Sequence, residues 1–410
     1  MNFTSQLLEN YSFYKEKLLV YRHFQPEEFN DILEDIIKKQ NSNFVTTKLG
    51  ESAQKRPIYH LTFGTGKTPV LLWSQMHGNE PTATLALLDI FHFLENPFSE
   101  EDKKLVETLK NSFTLHFIPI LNPDGTALFT RRTAQGIDMN RDFVERQTPE
   151  ARLLIDLAAK IKPHFSFNLH DQRSKYSVGK EPIPTTLAFL APAFDKETTI
   201  KKEGMRRLEA MQVISLMAEG LEKELGGKMA KYDDEFEPRA FGDNFQKLGY
   251  GTILIESGHY PNDWEKQEVR KYNYVAILNG LLSVANDLHK DKSIETYEKL
   301  PFNGTQFYDV ILRNVEIEFP QFVKFRADIA FERETKFDTK EHQYLFKSQI
   351  VDMGDLSTFY GHEEHNLEDY RIIMQDKKIE LESNPNLAFE NIGNPKKRLV
   401  VVNGVVSGLV

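Results

Sequence analysis

The chain has 410 residues, of which 40% are hydrophobic and 27% charged, a balance typical of globular proteins with a large core. It contains no cysteine, so disulfides, thiolate metal sites and a cysteine nucleophile are excluded, and a metal would need His, Asp or Glu ligands. The net charge of −10 argues against nucleic acid or an anionic membrane as a partner. With no signal peptide and no apolar run of the ~20 residues that span a bilayer, we expect a cytoplasmic protein.

Apolar spacing predicts helices within the first 40 residues, and strands then alternate with helices. The predicted strands are 44–47, 57–63, 70–74, 113–120, 165–169 and 252–256, and the predicted helices are 82–94, 149–161, 201–225 and 263–288. Thr148 is the expected N-cap of the helix that starts at Pro149. This alternation predicts an α/β domain, with a mixed, mostly parallel twisted sheet and helices on both faces.

The last 110 or so residues have a different pattern of apolar residues, with short strand candidates and no helical periodicity. These candidates are 310–312, 315–319, 325–331, 344–351, 378–381 and 398–402. We therefore predict three parts: a helical N-terminal extension (1–40), an α/β domain (41–292) and a small all-β domain (296–410). Exposed edge strands of the all-β domain could support a homo-oligomer.

Four segments with metal-binding or acid–base side chains follow predicted strands, at the sheet edge where α/β proteins bind ligands. They are residues 76–81, 122–143, 167–171 and 253–258. His77 and Glu80 are separated by two residues, which lets an imidazole and a carboxylate converge on one ion. With His170, they supply the two His and one Glu that suit a catalytic zinc ion, and Glu256 could then activate water.

Taken together, the segments resemble the zinc carboxypeptidase family, the M14 metallopeptidases. The features in common are H-x-x-E at His77–Glu80, the loop Asn122-Pro123-Asp124-Gly125, the run from Arg131 to Asn140-Arg141-Asp142-Phe143, Leu169-His170, and Glu256. The resemblance covers roughly residues 45–290 and leaves out the β tail. The order and spacing of several independent motifs make it more specific than any one of them.

The resemblance implies a metallocarboxypeptidase with one zinc ion per chain, acting on a peptide or a peptidoglycan-type amide. His77, Glu80 and His170 would be the zinc ligands, and Glu256 the general base and acid. Arg131 would stabilise the oxyanion, with Arg132 as a competitor for that role, and Asn140 and Arg141 would bind the terminal carboxylate.

The resemblance also implies that Asp138 orients a ligand imidazole. For the family's mobile tyrosine, Tyr232 is the nearest candidate, and Tyr250 and Tyr260 are others.

One residue of this chain departs from the family pattern, and one segment leaves the substrate specificity of the chain open. Asp142 stands where the family usually has Asn, and it could pair with Arg141 or favour an amine-bearing substrate. The segment Phe241-Gly242-Asp243 corresponds to the family's side-chain specificity position, but it indicates no preference by itself.

Other readings of the sequence remain open. The sequence His77-Gly78-Asn79-Glu80 also resembles the desuccinylase/aspartoacylase branch of the same fold, whose enzymes cleave N-acyl amino acids. A binding module without turnover is a third hypothesis, although the complete set of catalytic residue types argues against it. The segment His362-Glu363-Glu364-His365 is similar to a metalloprotease helix motif, but its histidines are three residues apart where that motif needs four. We expect it to be a solvated loop.

Overall fold

In the computed structural model, the chain forms two compact units. The α/β unit comprises Met1–Arg173 with Thr185–Asn303, and the β unit comprises Ser174–Pro184 with Gly304–Val410. The structure describes residues 3–37, 42–194, 205–317, 324–341, 343–373 and 379–408. Nothing in the sequence indicated that Ser174–Pro184 groups with the β unit. The division into parts 1–40, 41–292 and 296–410 stays a prediction.

The helices in the described residues are α1 (Phe3–Tyr14), α2 (Pro26–Ile37), α3 (Thr82–Glu95), α4 (Glu100–Ser112), α5 (Pro123–Ala127), α6 (Pro149–Ile161), α7 (Met205–Leu225), α8 (Phe241–Lys247), α9 (Gln267–Ala285) and α10 (Glu295–Lys299). A short 3-10 turn covers Met139–Arg141. The strands are β1 (Phe44–Glu51), β2 (Pro57–Phe63), β3 (Thr68–Trp73), β4 (Phe113–Ile118), β5 (Phe165–Asp171), β6 (Ser177–Val178), β7 (Leu187–Leu190), β8 (Met229–Lys231), β9 (Gly251–Ser257), β10 (Asn303–Gly304), β11 (Phe307–Ile317), β12 (Phe325–Asp338), β13 (Gln343–Gly354), β14 (Tyr360–Asn366), β15 (Tyr370–Ile372), β16 (Leu387–Asn391), β17 (Arg398–Val402) and β18 (Val405–Gly408).

The sheet of the α/β unit has the strand order β1-β2-β4-β3-β5-β9-β7-β8. Its central strands β4, β3, β5 and β9 are parallel, whereas β1, β2 and β7 bring in antiparallel pairings. The chain leaves β3 toward β4 and later returns to β5 on the other side of β3. Ligands bind at such a reversal, beyond the carboxyl ends of the strands.

Helices cover both faces of this sheet, as the sequence predicts. In β3, Val70 and Leu72 enter the larger core, which includes residues of α1, α3, α7 and α9. The alternate residues Leu71 and Trp73 enter a smaller core with α6 and α8. This alternation is the two-residue period of a strand that is buried on both faces.

The first two helices pack into the larger core of the α/β unit through residues such as Leu7 and Phe29. A fully buried ion pair, Arg270 Nη2 to Asp89 Oδ1 at 2.5 Å, lies beneath the segment that joins them. Arg270 also donates to the carbonyls of Glu16 and Leu19, and Asp89 accepts from the Glu16 N–H. These bonds anchor the connecting segment to α3 and α9.

The β unit is a sheet of order β13-β12-β11-β15-β16-β17-β18, in which β14 also pairs with β11. Its core is formed by alternate residues of these strands, including Val310, Leu312 and Phe331. The predicted strand 378–381 is wrong for its described part, because residues 379–381 form no strand. The loop prediction for His362–His365 is also wrong: these residues lie in β14, paired in parallel with β11.

Several helix predictions are confirmed with small shifts. Thr148 caps α6 through a bond from the Ala151 N–H to its hydroxyl, with Pro149 at the first turn. Helix α9 begins at Gln267 and not at Asp263, because the Asp263 carboxylate instead accepts the N–H groups of Gln267 and Glu268. Residues 201–204 of the predicted 201–225 helix lie outside the described residues. Helix α4, which starts with a Ser99–Asp102 capping box, was not predicted.

Candidate metal centre and active site

His77 and Glu80 lie in the tight turn that joins β3 to α3. Gln75 enters this turn with a φ of +46°, and the Glu80 N–H donates to the His77 carbonyl at 3.2 Å. A Cβ atom on Gly78 would come within 1.9 Å of the Gly125 carbonyl carbon, so only glycine fits here. The turn therefore packs directly on the start of α5, where the Asn122 side chain caps the helix by accepting the Gly125 N–H.

The two histidines converge on the Glu80 carboxylate. His77 Nδ1 lies 2.8 Å from Glu80 Oε1, and His170 Nδ1 lies 2.7 Å from Glu80 Oε2. All three side chains are buried, and the potential ligand atoms lie within 4.8 Å of one another. Among the described residues, this is the group of His, Asp and Glu side chains that could hold a metal ion.

The chemistry of this donor set fits zinc, which accepts imidazole nitrogens with a carboxylate and keeps an open position. Although burial opposes ionisation, the neighbouring imidazoles of His77 and His170 hold the pKa of Glu80 well below its usual range. Burial lowers the pKa of His170, which favours the neutral imidazole that a metal needs. The expectation of one zinc ion per chain therefore rests on a preassembled set of ligands.

Asp138 orients both His77 and Arg131. His77 Nε2 lies 3.1 Å from Asp138 Oδ1, and His77 Nδ1 faces Glu80 Oε1 and, at 3.1 Å, Arg131 Nη1. Arg131 Nε donates to Asp138 Oδ2 at 2.9 Å, and its Nη1 reaches Glu80 Oε1 at 3.1 Å. Arg132 instead donates to the Gly136 carbonyl, so the structure brings Arg131 and not Arg132 to the centre.

Glu256 stands beside the ligands on the next strand. It is the register partner of His170 in the parallel pair β5–β9, one residue before β9 ends. Burial, followed by the charges of Glu80 and Asp171, raises the pKa of Glu256 well above its ordinary value. A carboxyl group with a raised pKa next to a metal-type ligand set is suited to proton transfer.

The residues expected to hold a substrate carboxylate have partners within the protein. Asn140 Oδ1 accepts the Phe241 N–H at 2.9 Å, and Arg141 Nε lies 3.2 Å from Glu237 Oε2. The suggestion that Asp142 pairs with Arg141 is wrong. Asp142 is buried and accepts from the Gln147 N–H and from both the N–H and the hydroxyl of Thr148, each at 2.8 Å.

The tyrosine candidates differ in their surroundings. The Tyr250 ring packs on Phe245 at 5.6 Å, and its hydroxyl reaches the Ala158 carbonyl at 3.4 Å. Tyr260 packs against the larger core. Tyr232 directly follows β8, where its N–H donates to the Phe189 carbonyl. The role of Tyr232 stays a prediction.

Sequence reasoning missed three residues that contact predicted site residues or their neighbours: Thr82 and Lys266 contact Asp171, and Glu237 pairs with Arg141. Lys266 has a nearly buried ammonium group that contacts Asp171, the neighbour of His170. No pattern marks it, because it lies ten residues beyond Glu256 in a loop. The only sequence signal for Thr82 is its position two residues after Glu80. A threonine at the start of α3 is equally explained as an ordinary first residue of the helix.

Comparison with known proteins agrees with this geometry. Residues 31–176 match the model of a family described as zinc carboxypeptidase. Carboxypeptidase E of Caenorhabditis elegans is 36% identical over 115 residues, 23% of this chain and 24% of that protein. The catalytic chain of human carboxypeptidase N is 26% identical over 154 residues, 32% of this chain and 33% of that protein. The chain thus matches a third or less of the length of these relatives.

Solved structures resemble the chain in fold. A metallo-carboxypeptidase from Burkholderia cenocepacia superposes with a TM-score of 0.50 at 16% identity, covering 66% of this chain and 71% of that one. Bovine thrombin-activatable fibrinolysis inhibitor, solved in complex with a tick carboxypeptidase inhibitor, gives 0.50 at 14% identity, covering 67% and 99%. No helix within the described residues has the length and apolar character needed to cross a membrane.

Proposed function

We propose that this chain, whose residues 31–176 match the zinc carboxypeptidase family, is an enzyme that removes the C-terminal residue of a peptide. The observation that carries the proposal is the convergence of His77, Glu80 and His170, with Glu256 one strand away. These side chains lie at the carboxyl edge of the sheet, where α/β proteins bind ligands.

His77, Glu80 and His170 would hold the zinc ion. When bound there, zinc acts as a Lewis acid that polarises the scissile carbonyl and activates a water molecule. Glu256 takes a proton from the attacking water and returns it to the leaving amine. Its raised pKa supports both roles, because the group must accept a proton and then give it up near neutral pH.

Arg131 and Asp138 support the same reaction. Asp138 holds the Arg131 guanidinium beside the ligand set, where its N–H groups can stabilise negative charge on the carbonyl oxygen. Asp138 also fixes the ring of His77, which an outer carboxylate commonly does for a metal-bound histidine.

Asn140 and Arg141 would bind the terminal carboxylate of the peptide. Arg141 uses Nη1 for the Asn140 carbonyl and Nε for Glu237, and it is 37% exposed. Its Nη2, together with Asn140 Nδ2, is available to a carboxylate, because neither has a hydrogen-bond partner among the described residues. A guanidinium that is held in place by a neighbouring carboxylate is well ordered for such recognition. Tyr232 is proposed to close over the substrate from the segment after β8.

The test compares Glu256→Gln with the wild-type chain, both loaded with zinc, on a peptide library and on N-acetyl and N-succinyl amino acids. We expect wild type to release free C-terminal amino acids and Glu256→Gln to lose about 10²- to 10⁴-fold in kcat, because a proton-transfer group is removed. Zinc affinity should be unchanged. Glu235→Gln, a change at an exposed glutamate, is the control and should keep full activity.

Two results would overturn the proposal. Release of acetate or succinate without peptide cleavage would assign the chain to the N-acyl amino acid hydrolases. Tight zinc binding with no hydrolysis of either substrate class would indicate a binding module.

A further inference from the structure

Three side chains outside the ligand set form a hydrogen-bonded chain behind it. Lys266 Nζ donates to Asp171 Oδ2 at 3.2 Å, and the Thr82 hydroxyl donates to the same oxygen at 2.5 Å. We call Thr82, Asp171 and Lys266 the strand-end clamp. Thr82 lies two residues after Glu80, Asp171 directly follows His170, and Lys266 lies ten residues after Glu256.

The ammonium of Lys266 also holds backbone at the ends of two strands. It donates to the Ser257 carbonyl at 2.9 Å and to the Gln172 carbonyl at 3.2 Å. Ser257 follows Glu256, and Gln172 is two residues after His170. One cation thus contacts the carboxyl ends of both strands, β5 with His170 and β9 with Glu256.

The local backbone presents Lys266 to this position. Lys266 adopts a left-handed conformation, with a φ of +51°, immediately before α9. The loop that leads to it is held by bonds from the Gly258 N–H to the Thr186 carbonyl and from the His259 N–H to the Thr185 carbonyl. The Lys266 side chain is only 8% exposed, and the Asp171 side chain only 4%.

Stability alone does not account for a buried ion pair at this place. Desolvation of an ammonium and a carboxylate offsets most of their attraction, so apolar residues of similar volume would often stabilise the fold equally well. The clamp instead makes directed hydrogen bonds to the ends of β5 and β9. The distance between these strand ends sets the spacing of His170 and Glu256. A displacement of a reacting group by about 1 Å can cost about 100-fold in rate.

We propose that Lys266 is a positioning residue that acts through Asp171 and Thr82 to fix the relative placement of Glu80, His170 and Glu256. The inference rests on the proposed function for its kinetic test, but not for its spectroscopic one. The proposal gives the loop between β9 and α9 a role in catalysis. Lys266 in this loop lies outside the sequence motifs and outside the residues that match the family.

The main test is Lys266→Ala with added n-propylammonium, which restores the removed atoms from Cγ to Nζ. We expect kcat to fall by about 100-fold with KM nearly unchanged, because the peptide still binds while the reacting groups are misplaced. Propylammonium should recover at least a tenth of the lost rate, whereas propanol should not. Lys271→Ala, which removes a partly exposed lysine of α9, is the matched control.

Thr82→Val provides a second variant should Lys266→Ala fail to fold. It removes only the hydroxyl bond to Asp171, and we expect a loss of about tenfold in kcat. For both variants, Co²⁺ titration with visible absorption reports the ligand geometry without any turnover. We expect weaker Co²⁺ binding and shifted bands relative to wild type and Lys271→Ala.

The outcomes separate the two proposals. Wild-type kcat in both variants, or a lost rate that propylammonium leaves unrecovered in folded Lys266→Ala, would overturn the clamp. If the zinc-loaded wild type cleaves no peptide, the proposed function fails on that result alone. The clamp is then judged by Co²⁺, and unchanged bands and affinity in both variants would overturn it.

Discussion

Asp243, near Arg141, shows how burial acts on a single residue. Burial raises its pKa to about 6, although the Glu237 N–H that donates to its carboxylate at 3.1 Å works in the opposite direction. An unfolded chain would ionise this group near pH ~3.9. Between these two values the folded protein binds more protons than the unfolded chain. Stability therefore falls as the pH rises from about 4 to about 6, and the penalty remains above pH 6.

Asp243→Asn should remove this penalty. We expect the free energy of unfolding to rise by about 1–2 kcal/mol at pH 8 and to change little at pH 4, because the amide carries no charge and still accepts a hydrogen bond. Urea unfolding at the two pH values measures the difference. Asp156→Asn, at an exposed position of α6, should show no such pH dependence. An equal effect of Asp243→Asn at both pH values would contradict the prediction.

Among the elements, α6 explains why Asp142 departs from the family pattern. Thr148 caps the helix, and Asp142 in turn accepts from the N–H and the hydroxyl of Thr148 and from the Gln147 N–H. The carboxylate thus organises the helix start instead of the substrate site. It also ties the 3-10 turn that carries Asn140 and Arg141 to the first turn of α6.

Asp142→Ala should lower the free energy of unfolding of the α/β unit by about 2 kcal/mol, because three donors, of which the two from Thr148 are buried, lose their acceptor. Asp142→Asn should lose less, since its amide oxygen still accepts. Urea titration followed by tryptophan fluorescence gives both values. Glu145→Ala, in the same loop but exposed, serves as the control. Equal midpoints for Asp142→Ala and this control would refute the cap.

For the whole molecule, the two tryptophans offer a selective probe. Trp73 and Trp264 both belong to the α/β unit, so their fluorescence reports the unfolding of that unit. Each unit has its own hydrophobic core. Far-UV circular dichroism, in contrast, reports both units. A homo-oligomer formed through the all-β domain stays a prediction that sedimentation can address.

Removal of metal by a chelator should destabilise only the α/β unit. At free zinc ~1,000-fold above Kd, binding to the folded state alone contributes about 4 kcal/mol. We therefore expect the fluorescence transition to move to lower urea, while the remaining change in circular dichroism stays in place. His170→Ala, which lacks one ligand, should respond much less to the chelator. A chelator effect of equal size in His170→Ala would place the metal elsewhere.

The sequence by itself determined the α/β class, the helix starts at Thr82 and Pro149, and the meeting of His77, Glu80 and His170 with Glu256 on the next strand. These features follow from local patterns: apolar strands, capping residues, and polar side chains where a strand ends. Parallel strands bring their carboxyl ends to one edge, so side chains at those ends meet even though His77 and His170 are far apart in the chain.

Only the tertiary structure decided which side chains support that centre. It selected Arg131 over Arg132 through Asp138, directed Asp142 to Thr148, and brought Lys266 to Asp171 across 95 residues. It also placed His362–His365 in a strand. Such choices depend on long-range packing and on which polar groups become buried together. No short sequence pattern encodes them, because the partner of a buried charge is set by the fold around it.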